Sequence, residues 1–303
     1  MMKRLGNLLV DELGYVLFNA DRLSVGLVII YLSLTFAVVA SRFMSFLQAL
    51  TFHGKTKKVV PLTFKYTFTQ WIQQVTVPKS WFLHFYLVGL IVTCLVLTIP
   101  KEESHLFYLY EPTYSKLRWT LTQSLLVLHL LRRCYECCYV HRYGSSQMHL
   151  VGYCIGVLHY LLLPWNFLRV VIRKGNNLDQ SSVPTTYPLG MIALAVFLCL
   201  FSQYQQCRHH ILLAHLRTKT TSNRSSIPHG GWFHYVGCPH YLAEILIYTG
   251  LILLMPSIQT YSLLVWVISN LTVSAWNSHQ WYLQTFGIDY SKLQRKAIFP
   301  GCL

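Results

Sequence analysis

Arginines, carboxylates, imidazoles and amides recur at helical spacings inside stretches that are otherwise apolar. Arg132, Arg133 and Glu136 fall at i, i+1 and i+4. Arg132 and Glu136 therefore share a helix face and can pair. Asn270, Ser274 and Asn277 step by four and three and line one stripe, with His279 and Tyr282 three apart just beyond. Arg208, His209, His210, His215 and Arg217 form a basic, imidazole-rich segment. The densest stretch, residues 227–244, reads IPHGGWFHYVGCPHYLAE. Gly230-Gly231 lets the backbone turn tightly and approach a ligand. Pro239 suits a helix start. Glu244 opens directly into an apolar run, where a carboxylate is costly without a partner. Each set has a purely structural reading as an internal salt bridge, interhelical glue or interfacial aromatics. Together they describe a basic, aromatic, imidazole-lined pocket suited to a nucleotide, with arginines for phosphate and rings for stacking.

Other chemistries find no support. There is no G-x-G-x-x-G after a strand and no G-x-x-x-x-G-K-[ST], so neither a Rossmann domain nor a P-loop is indicated. G-x-S-x-G and H-E-x-x-H are also missing. Cys134-x-x-Cys137 has a metal or redox spacing but no second CxxC to complete it, so no metal is expected. The nine cysteines mostly lie in apolar runs, as reduced buried thiols do.

The elements that position these groups are membrane helices. Hydrophobic residues are 53% of 303 and charged ones 12%, against about 25% charged in soluble domains. Mean hydropathy is +0.40. No polar stretch is long enough for a separate soluble domain, so 1–303 reads as one integral membrane domain. Expected spans cover 24–40, 81–99, 119–140, 148–171, a fifth from Leu189, 241–255 and 261–283, each near the ~20 residues a bilayer needs. The fold class is thus all-α, a polytopic bundle of about seven transmembrane helices. Basic residues such as Lys57, Arg142, Lys219 and Arg295 mark alternate loops and the tail. By the positive-inside rule the N-terminus lies outside the cytosol and the C-terminus in it. Only the loop with Arg169, Arg173 and Lys174 disagrees. The net charge of +15 belongs to lipid head groups and cytosolic loops, not nucleic acid. No obligatory protein partner is evident.

IPHGGWFHYVGCPHYLAEILIY, SAWNSHQWYLQTF and the terminal RKAIFPG resemble the steroid 5α-reductase family. LQALTFHGKT, VPKSWFLHFY, LHLLRRCYECCYV and ILLAHLR narrow the resemblance to its polyprenol (polyprenal) reductase branch. It covers most of the chain from about Leu47, with residues 128–303 carrying most cofactor and catalytic motifs. It implies a seven-helix enzyme of the endoplasmic reticulum membrane that binds NADPH from the cytosolic side and passes hydride to the β-carbon of an enone or enal. The substrate would be a long-chain polyprenyl lipid on the route to dolichol, which feeds protein N-glycosylation. Arg133, Arg217, Gly231, Tyr235, His240, Glu244, Asn270, His279, Tyr282 and Arg295 fall on the family's cofactor positions.

One departure matters. Steroid-specific members hold the substrate carbonyl with a glutamate after the first span and a tyrosine on the third. Here residues 46–52 carry no acid and the tyrosine position is Leu130. Another donor must polarise the oxygen, and His279 or a protonated Glu136 is expected to do so, with Tyr282 close to the nicotinamide. A general acid or water then protonates C2. A free allylic alcohol has nothing to withdraw electrons from its double bond, so the aldehyde is the expected acceptor. The alternatives are a 3-oxo-steroid 4-ene reductase, an isoprenylcysteine methyltransferase-like membrane enzyme, or a non-catalytic seven-helix receptor or transporter.

Overall fold

The computed structural model describes residues 22–44, 75–98, 113–168, 188–219 and 226–301. The stretch 47–56, the acid-free loop 46–52 and Cys302 lie outside them. Among the described residues, seven helices of ten or more residues follow one another: α1 (Arg22–Ala40), α2 (Phe82–Thr98), α3 (Thr113–Tyr135), α4 (Leu150–Leu162), α5 (Leu189–Lys219), α6 (Pro239–Leu254) and α7 (Ile258–Phe286), with a short α8 (Ile288–Ser291). Each falls on one of the expected spans. The chain is all-α and multi-pass: among the described residues five segments, 23–40, 79–98, 150–167, 189–217 and 258–286, are long and apolar enough to cross a membrane.

Against the expected seven spans, only five qualify among the described residues, for two reasons. α6 is apolar but has only 16 residues, about 24 Å of helix. α3 is long enough, but Lys116, Arg118, Arg132 and Arg133 lower its hydropathy.

Local sequence explains the helix ends. Pro239 occupies the first turn of α6, where a missing N–H costs nothing. Pro256 follows its last turn. α7 starts with a reciprocal cap: the Thr260 N–H donates to Ser257 Oγ at 3.2 Å, and the Ser257 N–H donates to Thr260 Oγ1 at 2.9 Å. Two short antiparallel strands, β1 (Thr76–Pro78) and β2 (Gln147–His149), pair Val77 with Met148 and tie the entry of α2 to that of α4.

The core lies where α5 packs on α6, α7 lies against α1 and α6, and α2 bridges α3 and α4. A Cβ on Gly250 of α6 would come within 2.8 Å of the Ala195 carbonyl and 3.0 Å of Cys199, so small residues let α5 and α6 approach closely. Tyr31, Leu126, Leu130, Ile247 and Leu251 fill the interior. Ile29, Phe36, Ile91, Leu95 and Phe197 face outward, as lipid-facing side chains do. The described cysteines are all free thiols.

Candidate active site

The last turn of α3 widens into a π turn, Glu136–Val140, in which the His141 N–H donates to the Glu136 carbonyl at 2.8 Å. Such turns are rare and concentrate at functional sites. Glu136 is fully buried, with 0% of its surface exposed. Its carboxylate accepts from both Arg132 and Arg133. His210 Nδ1 lies 2.7 Å from it and 2.8 Å from Arg133 Nη1. Protonated, that nitrogen donates to Glu136; bare, it accepts from Arg133. Arg133 also donates to the Tyr86 hydroxyl at 2.6 Å and stacks over its ring at 4.6 Å. Arg132 reaches across to Gln206, whose amide donates to Glu244 and, at 3.3 Å, to the His240 carbonyl. His129 Nε2 stands 3.5 Å from the other Glu244 oxygen.

Two guanidinium groups thus meet two carboxylates across α3, α5 and α6. Burial of so many charges is tolerable only because every carboxylate finds a partner. Glu136, Arg133, Glu244 and His240, each expected in the site, come together here. Glu136 sits among cationic donors as an ion-paired acceptor, the opposite of the protonated donor expected from sequence. Glu136, His141 and His210 bring ligand atoms within 4.8 Å of one another, a metal-like cradle. Arg133 Nη1 contacts all three, so a guanidinium already supplies the positive charge. In the loop beyond the π turn, burial and the nearby His210 and Arg133 push His141 down to about 3, so its ring is neutral at pH 7.

The second part of the site is the loop 226–238. Gly230 and Gly231 have φ of +94° and +54°, where side chains are strained. A Cβ on Gly231 would lie 3.1 Å from His209 Nε2, which accepts from the Trp232 N–H at 3.3 Å. The C-terminal segment clasps this loop. Val236 and Lys296 form a parallel bridge, the Gly237 N–H donates to the Lys296 carbonyl at 2.7 Å, and the Lys296 N–H donates to the Tyr235 carbonyl at 3.1 Å. Arg295 is buried and donates to the Pro228 carbonyl at 2.7 Å and to His229 Nδ1 at 3.3 Å. Burial and Arg295 keep His229 neutral, which makes it an acceptor.

His279 Nδ1 lies 3.0 Å from the buried Tyr290 hydroxyl, and the Tyr282 and Tyr290 rings stack at 5.0 Å. Burial pushes Tyr290 up to about 12, so it keeps its proton at pH 7. With Tyr290 donating to Nδ1, the remaining imidazole proton sits on Nε2 of His279 as a donor. Tyr241 joins the two parts, an electrostatic neighbour of Tyr86 on one side and Tyr282 on the other.

Three expected residues lie outside the two hydrogen-bonded clusters, though Arg217 is an electrostatic neighbour of His141 and Tyr282. Arg217 is exposed and donates to the Arg142 carbonyl. Tyr235 is 66% exposed at the loop's rim. Asn270 is half-buried on α7, nine residues and about 14 Å along the axis from His279. Sequence reading missed His129, Gln206, Tyr86, His141 and Tyr290 as site residues. Gln206 carried a signal, as one of several amides in an apolar helix, and Tyr86 and His129 lie in the stretches VPKSWFLHFY and LHLLRRCYECCYV that carry the resemblance; His141 and Tyr290 carried none.

A family profile described as 3-oxo-5-alpha-steroid 4-dehydrogenase matches residues 177–303. Polyprenal reductase of Caenorhabditis elegans is 30% identical over 299 residues, covering 90% of this chain and 92% of the relative. Polyprenal reductase of Xenopus tropicalis is 31% identical over 283 residues, covering 84% and 88%. Polyprenal reductase 1 of Arabidopsis thaliana is 30% identical over 304 residues, covering 87% and 91%.

Proposed function

The chain belongs to the steroid 5α-reductase family, on the branch of the polyprenal reductases, and from that premise we infer a membrane oxidoreductase that saturates the α-isoprene double bond of polyprenal on the way to dolichol. The cofactor is NADPH, and the enzyme works in the endoplasmic reticulum membrane with its C-terminus in the cytosol, feeding dolichol-dependent protein N-glycosylation. The substrate is a long-chain polyprenyl lipid whose tail leaves sideways into the bilayer, and the enzyme needs no obligatory protein partner.

Several groups fit the cofactor. His240 Nδ1 and Arg295 Nε are buried polar atoms without a hydrogen-bond partner. Arg217 and Lys296 are exposed cations on either flank of the loop. The Gly230-Gly231 backbone leaves room for close approach. In this reading Arg217 and Arg295 take phosphates, Arg133 and Glu244 set the polar wall, and Gly231, Tyr235, His240 and Asn270 complete the cofactor contacts. When bound, NADPH supplies the hydride that adds to C3 of the enal.

His279 and Tyr282 stand at the reactive end. The His279–Tyr290 hydrogen bond is the observation that supports this assignment: with the phenol donating to Nδ1, the neutral imidazole carries its proton on Nε2. That N–H steadies the negative charge growing on the aldehyde oxygen. Glu136 keeps its place at the site by holding Arg133 and His210 in register. Addition leaves an enolate, and one proton at C2 completes the saturated aldehyde.

The test is NADPH consumption by purified protein with polyprenal, polyprenol and a steroid enone side by side. Turnover should follow the aldehyde. A preference for the steroid enone overturns the substrate. Thermal stabilisation by S-adenosylmethionine but not by NADPH overturns the reductase reading altogether.

A further inference from the structure

The aldehyde oxygen on His279 fixes where the second half of the reaction takes place. C2 is two bonds from that oxygen, so its proton donor must stand beside the same imidazole. Most neighbours are already engaged or are poor acids. Tyr290 gives its hydroxyl proton to His279 Nδ1 at 3.0 Å. Ser278 donates to the Ser274 carbonyl at 2.9 Å. The Trp276 ring lies 6.3 Å from the imidazole, but an indole N–H donates hydrogen bonds without releasing its proton. Lys296, an electrostatic neighbour of His279, is exposed on the flank of the loop, where it faces the cofactor's side of the site.

Tyr282 is placed differently. It follows His279 by three residues on α7, so the two side chains are neighbours on one face. Its ring is packed on three sides. It stacks on Tyr290 at 5.0 Å and on Phe286 at 6.0 Å, and Trp281 meets it edge-on at 5.1 Å. Tyr290 thus touches both residues, with its hydroxyl on the imidazole and its face on the Tyr282 ring. Packing of this kind holds a reacting group in one orientation.

The surroundings also suit a phenol that loses its proton and regains it. Tyr282 is half-buried, with Arg217 and Arg295 as electrostatic neighbours. Two cations therefore stand near the phenolate that would form. Arg217 is exposed, so solvent reaches this side. An enolate carbon is much more basic than a phenolate, whose parent phenol has a pKa of about 10, so proton transfer from a tyrosine runs downhill.

We propose that Tyr282 is the acid that protonates C2. This rests on the polyprenal reductase reading and deepens it. As hydride adds to C3 and the nicotinamide is oxidised, the C2=C3 electron pair shifts to form the enolate, whose oxygen stays on the His279 N–H. The Tyr282 O–H bond breaks as C2–H forms, and the carbonyl is restored. Water on the Arg217 side then returns a proton to the phenolate. Each turnover takes one hydride from the cofactor and one proton from solvent. Tyr282 is the catalytic residue in this step, and Tyr290 is a positioning residue that aligns it with His279.

The experiment runs wild type, Tyr282→Phe and Tyr282→3-fluorotyrosine with polyprenal and NADPH in D2O, reducing the product with borohydride before its α-hydrogens exchange. Wild type should place deuterium on one face of C2. Tyr282→Phe keeps the ring stack on Tyr290. It is expected to lower kcat about 100-fold, leave KM and NADPH affinity within about twofold, and put deuterium on both faces. Fluorination makes the phenol more acidic without removing it, so the alkaline limb of the kcat–pH profile should move to lower pH. Folded Tyr282→Phe with wild-type kcat and a one-sided label overturns the proposal. Should Tyr282→Phe not fold, the fluorinated protein decides: an alkaline limb that stays in place sinks the acid. A wild type inert towards polyprenal instead defeats the functional reading beneath it.

Discussion

The ionic cluster around Glu136 and the His279–Tyr290 corner are both buried polar arrangements in a greasy molecule, yet they are built on opposite terms. The first gathers formal charges, two arginines and two carboxylates, with the imidazoles of His129 and His210 beside them, locked between α3, α5 and α6. The second is neutral, a phenol on an imidazole, half open and closed by the segment after α7. Charges fixed this way set shape and potential but have little freedom to trade protons. A neutral pair keeps a proton in play. In the proposed reading, that difference gives scaffold and cofactor wall to one region and the stabilising of charge to the other.

The largest effect should come from Glu136→Gln. It leaves two guanidinium groups facing a neutral amide, and breaking such a buried pair costs about 3–5 kcal/mol. Detergent-solubilised protein should melt far lower or fail to accumulate. A stable variant would mean that the cluster is not the scaffold. Replacing His279 by Ala should do the reverse. Turnover should fall at least about 100-fold, while one lost hydrogen bond costs only about 1 kcal/mol. Full NADPH-dependent activity in that variant would remove His279 from the site.

Gly237→Ala sharpens the contrast, because its Cβ would press within 2.7 Å of the Tyr290 hydroxyl. Overpacking of that kind costs about 1–3 kcal/mol and should pull Tyr290 away from His279. Activity should drop while the ionic cluster persists, readable as a kcat loss with modest change in melting temperature. Arg217→Ala touches neither interior, since Arg217 is exposed. Its expected effect is weaker NADPH binding with NADH binding little changed, and dissociation constants for both cofactors check this.

At neutral pH the smallest effect is that of His141, which appears only as the solution is acidified. His141 is held neutral in the folded chain, down to about 3, while an unfolded histidine titrates near 6.5. The unfolded state therefore binds more protons between those values, and stability is lost as pH falls from about 6.5 towards 3. His141→Asn should flatten that part of the stability profile; an unchanged slope would place the acid sensitivity elsewhere.

Much of this was legible in the residues. Hydropathy placed a helix at each of seven positions, and the i, i+4 spacing of Arg132 and Glu136 announced their pairing, because both are properties of a single helix. Among the described residues five spans qualify, because length and charge act separately: α6 is apolar but short, α3 long but charged. The state of Glu136 was not legible, since a carboxylate's partners on other helices decide whether it is free to carry a proton. The π turn that buries it left no mark in the spacing either.

What the sequence determined by itself was therefore local and periodic: the all-α membrane class, the helix start at Pro239, and the ion pair within α3. Only the tertiary structure decided which polar groups meet. His159 and Tyr248 are 89 residues apart, and Gln206 meets Glu244 across 38. Periodicity tells which face of a helix is polar. Which helix that face turns towards is settled by how the apolar faces pack.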